Sequence, residues 1–109
     1  MEIKTSGNFC ILTPLSIKID KMEAERIANE LNLHSNMQIG IDLSFVRDCT
    51  FDFVNMLYNI SDIALFNIPS DIFSILNAMN MDKKLNLFVN EWDFLSNKHR
   101  LLNRKFSLV

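Results

Sequence analysis

The sequence predicts an α/β fold with a mainly parallel sheet of four to five strands and about four helices. Two observations support this class. Short apolar runs typical of buried strands recur along the chain, and stretches with the apolar spacing of helices separate them. Strands that alternate with helices imply right-handed crossovers and parallel pairing. The 109 residues, 49% of them hydrophobic, predict a single domain over 1–109 that can bury its own core.

Two strands are predicted near the amino terminus. Residues 9–12 are β-prone, and after the interruption at Pro14 the apolar residues Leu15, Ile17 and Ile19 alternate with polar ones. We expect these two strands to form an antiparallel edge of the sheet.

A first helix is predicted to begin after Asp20. Asp20 can cap the helix, and Glu23 follows three residues later, which is the pattern of a capping box. A strand at 38–43 comes next, and its Gly40 is small enough for another group to pack closely over it. The apolar residues that fall on one face of the first helix are Ala24, Ile27, Ala28 and Leu31.

The second half of the chain repeats the alternation of helix and strand. Residues 63–66 form the continuous apolar run of a strand buried on both faces, and 85–89 is the last predicted strand. Pro69 opens the helix between them, and Asn90 can cap a final helix. The apolar residues predicted to face the core from the helices are Val54, Leu57 and Tyr58; Ile72, Ile75, Leu76 and Met79; and Trp92, Leu95 and Leu102.

The composition excludes several classes of protein. Charged residues make up 22%, and Gly and Pro number two each, which argues against disorder and against a sandwich built on many tight turns. No apolar run approaches the roughly 20 residues of a membrane span, and the amino terminus lacks the apolar core of a signal peptide. We therefore expect a cytoplasmic protein in which Cys10 and Cys49 stay reduced.

Charge is distributed unevenly along the chain. Residues 1–82 carry a net charge of −6, whereas residues 83–109 carry +4. We interpret the basic end as the solvated terminus of a helix, where cations complement the helix dipole, rather than as a nucleic-acid or acidic-lipid patch. Its cations, which no aromatic platform or Gly-rich loop accompanies, are Lys98, Arg100, Arg104 and Lys105.

No enzyme motif is present in the sequence. Two glycines cannot build a phosphate-binding loop, no nucleophile elbow occurs, and no Cys/His spacing suits zinc. His34 and His99 have polar or charged neighbours and are interpreted as solvated surface residues. We therefore expect no enzymatic activity, no metal and no cofactor, and we expect a binding or regulatory module.

The segment Asp42-Leu43-Ser44-Phe45-Val46 carries a family resemblance. It resembles part of the signature of STAS domains, the family of bacterial anti-sigma factor antagonists and sulfate-transporter carboxyl-terminal domains. The order and length of the predicted elements agree with that family over nearly the whole chain. The resemblance implies a STAS-like fold and a regulatory module that binds a protein.

The sequence departs from the family at the phosphorylation site. Aligned without a gap, the family's Asp falls on Thr50 and its phosphoacceptor Ser falls on Phe51; a two-residue deletion instead places Cys49 at the Ser position. We prefer the ungapped alignment because it keeps the apolar residues of the following helix in phase. The usual Ser switch is then absent, and Thr50 is either a neighbouring phosphorylation site or the N-cap of the helix.

The loop and helix start at 48–55 form the candidate partner-binding surface. Open α/β sheets place their binding sites at the carboxyl ends of parallel strands. Asp48 and Asp52 supply permanent negative charge, and an exposed Phe51 would anchor a partner; the alternative is that Phe45, Phe51 and Phe53 all fill the core. The candidate interface residues are Asp48, Cys49, Thr50, Phe51, Asp52 and Asn55.

Three functions stay open at this point. The first is an anti-sigma factor antagonist that lacks the usual phosphorylatable Ser and binds an anti-sigma factor or kinase-like protein. The resemblance also allows a small soluble STAS subunit of a lipid-transport ABC complex, which docks on an ABC transporter ATPase. The third is a small ligand-binding or enzymatic α/β domain. We expect no nucleic-acid partner and no membrane span, and a homodimer stays open.

Overall fold

Seven strands and four helices alternate along residues 1–60 and 62–96, the part of the chain that the computed structural model describes. The strands are β1 (Glu2–Ser6), β2 (Phe9–Thr13), β3 (Lys18–Ile19), β4 (Gln38–Asp42), β5 (Asp48–Cys49), β6 (Ile63–Phe66) and β7 (Asn86–Leu87). The helices are α1 (Lys21–Leu33), α2 (Phe51–Tyr58), α3 (Ser70–Ala78) and α4 (Glu91–Ser96), with a 3-10 turn at Met81–Lys83.

Five of the strands form one sheet in the order β1-β2-β4-β6-β7. β1 and β2 are antiparallel, and the pairs β2–β4, β4–β6 and β6–β7 are parallel. β3 and β5 form a separate parallel pair. The predicted α/β class, a mainly parallel sheet of four to five strands with about four helices, is therefore confirmed, and the sheet has five strands.

Helices cover both faces of the sheet. α1, α2 and α3 bury their apolar faces in one core with alternate residues of the central strands, among them Leu12, Ile41 and Leu65. On the other face Phe66 and Phe88 pack with Phe94 of α4. Burial on both faces explains why β6 is a continuous apolar run, as predicted.

Gly40 is required because aromatic rings cross the sheet directly above it. A Cβ at this position would lie 2.8 Å from Phe94 Cε2 and 2.9 Å from Phe66 Cε2, which is closer than carbon atoms can pack. The rings of Phe66 and Phe94 are stacked, with their centroids 5.5 Å apart. The predicted close packing over Gly40 is therefore confirmed, and the group that packs there is α4.

The antiparallel edge of the sheet is formed by a different segment from the one predicted. Its outer strand is β1, which joins β2 through a two-residue turn that begins with Gly7 at φ +58°. Gly followed by Asn is a sequence signal for such a hairpin. After Pro14 the chain leaves the sheet, so Leu15 and Ile17 are exposed and only Lys18–Ile19 pairs, with β5. The alternation of Leu15, Ile17 and Ile19 is therefore not that of a sheet strand.

The predicted helix starts at Asp20 and Asn90 are confirmed. Asp20 Oδ1 accepts a hydrogen bond from the Glu23 N–H at 2.9 Å, and Asn90 Oδ1 accepts one from the Asp93 N–H at 2.9 Å. These bonds satisfy donors that the first turn of a helix leaves free.

Several apolar residues assigned to the core from helical spacing are exposed instead. Tyr58 and Met79 lie on the surface, and in α4 it is Phe94 that is buried, whereas Trp92 is 68% exposed. The last strand pairs only over Asn86–Leu87, which is shorter than predicted. The remaining predictions for the end of the chain lie outside the described residues: Leu102, His99 and the basic residues Lys98, Arg100, Arg104 and Lys105.

Candidate functional site

The candidate surface follows β4 at the carboxyl edge of the sheet. Leu43 and Val46 are fully buried and fix the loop that leaves β4, and the Val46 N–H donates to the Leu43 carbonyl at 3.1 Å. Phe45, between them, is exposed. The segment that resembles the family signature is therefore a loop whose side chains at Leu43 and Val46 are anchored in the core.

Asp42 holds the beginning of this loop. Its Oδ1 accepts hydrogen bonds from the Ser44 N–H at 3.0 Å and from Asn67 Nδ2 at 3.1 Å. Asn67 follows β6 and has φ +53°, a conformation that Asn tolerates better than most residues. The Asp42 side chain thus joins the loops that leave two neighbouring parallel strands, and its function in the site is to position the backbone.

The β3–β5 pair supports the next part of the loop. The N–H groups of Arg47 and Asp48 donate to the Ile17 carbonyl at 2.7 and 3.2 Å, and the Thr50 N–H donates to the Ile19 carbonyl at 2.9 Å. These bonds hold the segment that leads into α2 against β3. This pairing could not be predicted from the sequence, because a strand of two residues has no detectable period.

The structure brings the six predicted interface residues together on one strand end and the first turns of one helix. Asp48, Phe51, Asp52 and Asn55 are exposed, and Cys49 and Thr50 are half-buried. Phe51 is 67% exposed, Phe45 is also exposed and Phe53 is fully buried. The interpretation that all three phenylalanines fill the core is therefore wrong, and Phe53 alone of the three does so.

Thr50 lies at the N-cap of α2, but its side chain makes no capping hydrogen bond. Its hydroxyl oxygen lies 3.3 Å from Asp52 Oδ2 and 3.4 Å from the Ile19 carbonyl oxygen, so it can donate its hydrogen to either acceptor. Thr50 therefore occupies the predicted N-cap position, but its hydroxyl donates to oxygen atoms instead of accepting a hydrogen bond from an N–H of α2.

Two carboxylates, those of Asp48 and Asp52, flank the start of α2. The Asp48 carboxylate has a cationic neighbour in Lys18 at 3.8 Å, and both side chains are exposed, so solvent screens the pair. Burial raises the pKa of the Cys49 thiol, and the adjacent Asp48 carboxylate raises it further. Cys49 is therefore a weakly reactive thiol rather than an activated nucleophile.

An apolar groove adjoins the predicted surface. Phe51, Tyr58 and Met79 line its exposed walls, and the buried Val54 and Met81 form its floor, enclosing about 270 Å³. This groove was missed in the sequence because helical spacing assigned Tyr58 and Met79 to the core. Spacing identifies which residues share a helix face but not which edge of that face stays uncovered.

A cation lies beside the Tyr58 end of the groove, where Lys84 Nζ is 3.9 Å from the centroid of the Tyr58 ring. Asp52, in the first turn of α2, lines a separate groove together with Lys21 and Glu25 of α1. Lys84 Nζ also donates to the Tyr58 carbonyl at the end of α2. A partner segment in this groove would therefore meet a cation beside Tyr58.

No metal-binding cluster is found in the part of the chain that the structure describes. No group of three His, Cys, Asp or Glu side chains within 1–60 and 62–96 could hold a metal ion. His34 follows the last residue of α1, and its Nε2 lies 3.5 Å from Glu30 Oε2. A cleft of about 400 Å³ lies at the opposite end of the sheet, where Asn8, Gln38 and Asn86 contribute to a polar lining. No helix in the described part of the chain is both long and apolar enough to cross a bilayer.

Comparison with known proteins identifies a structural relative. No protein-family model and no curated protein matches the chain. Among solved structures, that of a "putative anti-sigma factor antagonist" from Thermotoga maritima matches with a TM-score of 0.72, covering 88% of this chain and 92% of that chain at 20% sequence identity. At this identity the likeness shows a shared fold, and the STAS-like fold predicted from the sequence is confirmed.

Proposed function

We propose that the protein is a non-enzymatic regulatory module that binds a protein partner through residues 48–55, in the role of an anti-sigma factor antagonist. The single observation that carries the proposal is the exposure of Phe51, 67%, at the first residue of α2. In the ungapped alignment this is the position of the family's phosphoacceptor Ser. A large aromatic side chain at the end of a loop, beside the carboxyl edge of a sheet, has the character of an interface anchor.

The surroundings of Phe51 support the same role. The groove that Phe51 shares with Tyr58 and Met79 provides a continuous apolar contact, and contiguous exposed apolar surface marks interaction sites. Asp48 and Asp52 are exposed within three residues of Phe51, and their charge would steer a basic partner surface towards this segment. An apolar centre with a charged rim is the usual arrangement of protein interfaces.

The proposed module binds without a phosphorylation switch. Phe51 cannot be phosphorylated, and Thr50 directs its hydroxyl to Asp52 and the Ile19 carbonyl. A phosphate on Thr50 would add a charge of about −2 beside Asp48 and Asp52, where it would be repelled. Binding is therefore expected to be controlled by the amount of partner rather than by phosphorylation of this chain.

Affinity capture from cells that express the protein, followed by mass spectrometry, tests the proposal. Wild-type protein, Phe51→Ala and Trp92→Ala are compared, because Phe51 and Trp92 are almost equally exposed but lie on different helices. The proposal expects a kinase-type anti-sigma factor that Phe51→Ala loses and Trp92→Ala retains. Capture of an ABC transporter ATPase with the same dependence would support the alternative transport subunit. Capture that is equal for all three baits would contradict both.

A further inference from the structure

The outer edge of β1 pairs with no other strand among residues 1–60 and 62–96. β1 is the terminal strand of the sheet, all five of its residues are exposed, and no described strand pairs with its outer side. An edge strand presents free N–H and C=O groups to any strand of suitable sequence. The residues available for such pairing follow from the register of the hairpin.

Ile3 and Thr5 direct their backbone groups outward. The turn at Gly7 and Asn8 closes on the pair Ser6 and Phe9, which is the hydrogen-bonded pair of a two-residue hairpin. Because hydrogen-bonded and non-bonded pairs alternate in an antiparallel ladder, Ser6, Lys4 and Glu2 bond to β2. The N–H and C=O groups of Ile3 and Thr5 therefore point away from the sheet.

This alternation permits few registers for the antiparallel pairing of two copies of β1. A two-fold axis at Ile3 places each Glu2 opposite Lys4 of the other copy. An axis at Lys4 places two lysines opposite each other, and an axis at Thr5 places Ile3 opposite the turn residue Gly7. Opposite charges in facing positions stabilise a strand pair and like charges destabilise it. Charge therefore selects the axis at Ile3.

The side chain of Ile3 favours the same axis. Ile3 faces Leu12 of β2, which is a fully buried core residue, yet Ile3 itself is 43% exposed at the margin of that core. With the axis at Ile3, the two isoleucines would contact each other and extend the core across the interface. Glu2 and Lys4 lie on the opposite face, where Lys4 already contacts Glu91 at 3.0 Å.

We infer that the protein self-associates through β1, in an antiparallel pair centred on Ile3 with two reciprocal Glu2–Lys4 ion pairs. The contact joins two five-stranded sheets into one. Five residues a side bury little surface, so the dimer belongs to the weak, concentration-dependent class. The β1 edge and the proposed partner surface are formed by different residues, so either proposal can fail alone.

Charge exchange tests the self-association. Sedimentation equilibrium up to about 1 mM, the range of weak complexes, should show a monomer–dimer equilibrium for wild type. Glu2→Lys and Lys4→Glu should each be monomeric, since each opposes like charges, whereas an equimolar mixture of the two should again form dimers. Glu91→Gln, which removes the neighbouring intramolecular ion pair, should dimerise like wild type. A monomeric wild type, or a mixture that stays monomeric, would overturn the proposal.

Disulfide trapping tests the register. In a Cys49→Ser background, where the remaining Cys10 is fully buried, Ile3→Cys should form a disulfide-linked dimer on mild oxidation. Thr5→Cys should not, because the two positions would be separated by four residues of strand, about 13 Å. Linkage at least tenfold faster for Ile3→Cys than for Thr5→Cys is the expected result. Equal rates, or faster linkage through Thr5→Cys, would overturn the proposed register.

Discussion

Asp42 and Asn67 are joined by a hydrogen bond between two loops that leave neighbouring strands. Asn67 Nδ2 donates to Asp42 Oδ1 at 3.1 Å, and the same oxygen accepts the Ser44 N–H. One carboxylate oxygen therefore positions the loop that leads to Phe51 relative to the centre of the sheet. The STAS-like signature begins at Asp42, and this contact gives a physical reason for an Asp at that position.

Two substitutions of Asn67 distinguish the stability contributed by its side-chain hydrogen bond from the cost of its left-handed backbone conformation. Asn67→Gly loses the bond but keeps φ +53° without strain, so the free energy of unfolding should fall by about 1 kcal/mol. Asn67→Ala loses the bond and adds left-handed strain of about 1–2 kcal/mol. Urea denaturation measures both, and equal losses for Gly and Ala would show that the backbone conformation costs nothing here.

Adding a methyl group at Gly40 should destabilise the fold by steric overlap with Phe94 and Phe66. Gly40→Ala is expected to lower the free energy of unfolding by about 1–3 kcal/mol, the usual cost of overpacking. Phe94→Leu removes one of the two rings, so the double variant should lose less than the sum of the single losses. Thermal denaturation of the four proteins forms the cycle. Simple additivity would show that Gly40 does not contact this ring.

The chain should not be a substrate for phosphorylation at the family's position. Incubation with Mg-ATP and a cognate anti-sigma kinase should leave it unmodified, because Phe51 has no hydroxyl. Phe51→Ser, which restores the acceptor, should gain one phosphate and serves as the matched control. Intact-mass analysis followed by peptide mapping gives the result. Phosphate on Thr50 of wild type would show that the switch has moved by one residue, and phosphate on Ser44 or Ser61 would contradict the alignment.

The Cys49 thiol should react slowly with alkylating reagents. Burial and then the Asp48 carboxylate raise its pKa, so at a given pH less thiolate is present than in an unperturbed thiol. The alkylation rate should therefore reach half its maximum at a higher pH than that of a free cysteine. Asp48→Asn removes one of the two causes and should shift this midpoint to lower pH. A midpoint below that of free cysteine in wild type would contradict the described environment.

Local apolar runs predicted the central strands, the capping residues Asp20 and Asn90 predicted two helix starts, and the small size of Gly40 predicted close packing over it. These features depend on neighbouring residues, so a short window of sequence contains them. The edge strand was missed because Glu2–Ser6 has only Ile3 as an apolar residue, and its pairing depends on the Gly7 turn. The exposure of Tyr58 depends on how α3 packs beside α2, and the pairing of β5 depends on the position of β3. Neither contact can be predicted from a short window of sequence.

The candidate surface was predictable in position but not in shape. The end of a parallel strand and the family-like segment located residues 48–55. The sequence did not show which of Phe45, Phe51 and Phe53 is buried. Phe45 lies in a loop without a period, and either Phe51 or Phe53 in the first turn of α2 could face the core. The groove beside Phe51 results from the packing of α2 against residues near Met79, about twenty positions later in the chain.

The central claim is that Phe51 binds a partner and does not support the fold. Its stability control is Phe53→Ala, which empties a fully buried site two residues away and should cost about 3–5 kcal/mol of folding free energy. Phe51→Ala should cost less than about 1 kcal/mol, the usual limit for an exposed position.

The most direct measurement is the dissociation constant of the captured partner for wild type, Phe51→Ala and Trp92→Ala by isothermal titration calorimetry. Phe51→Ala is expected to weaken binding by about 2 kcal/mol or more, roughly 30-fold, with only a small change in melting temperature. Trp92→Ala should leave the constant within about twofold of wild type. A large fall in the melting temperature of Phe51→Ala with unchanged affinity per folded molecule would contradict the account.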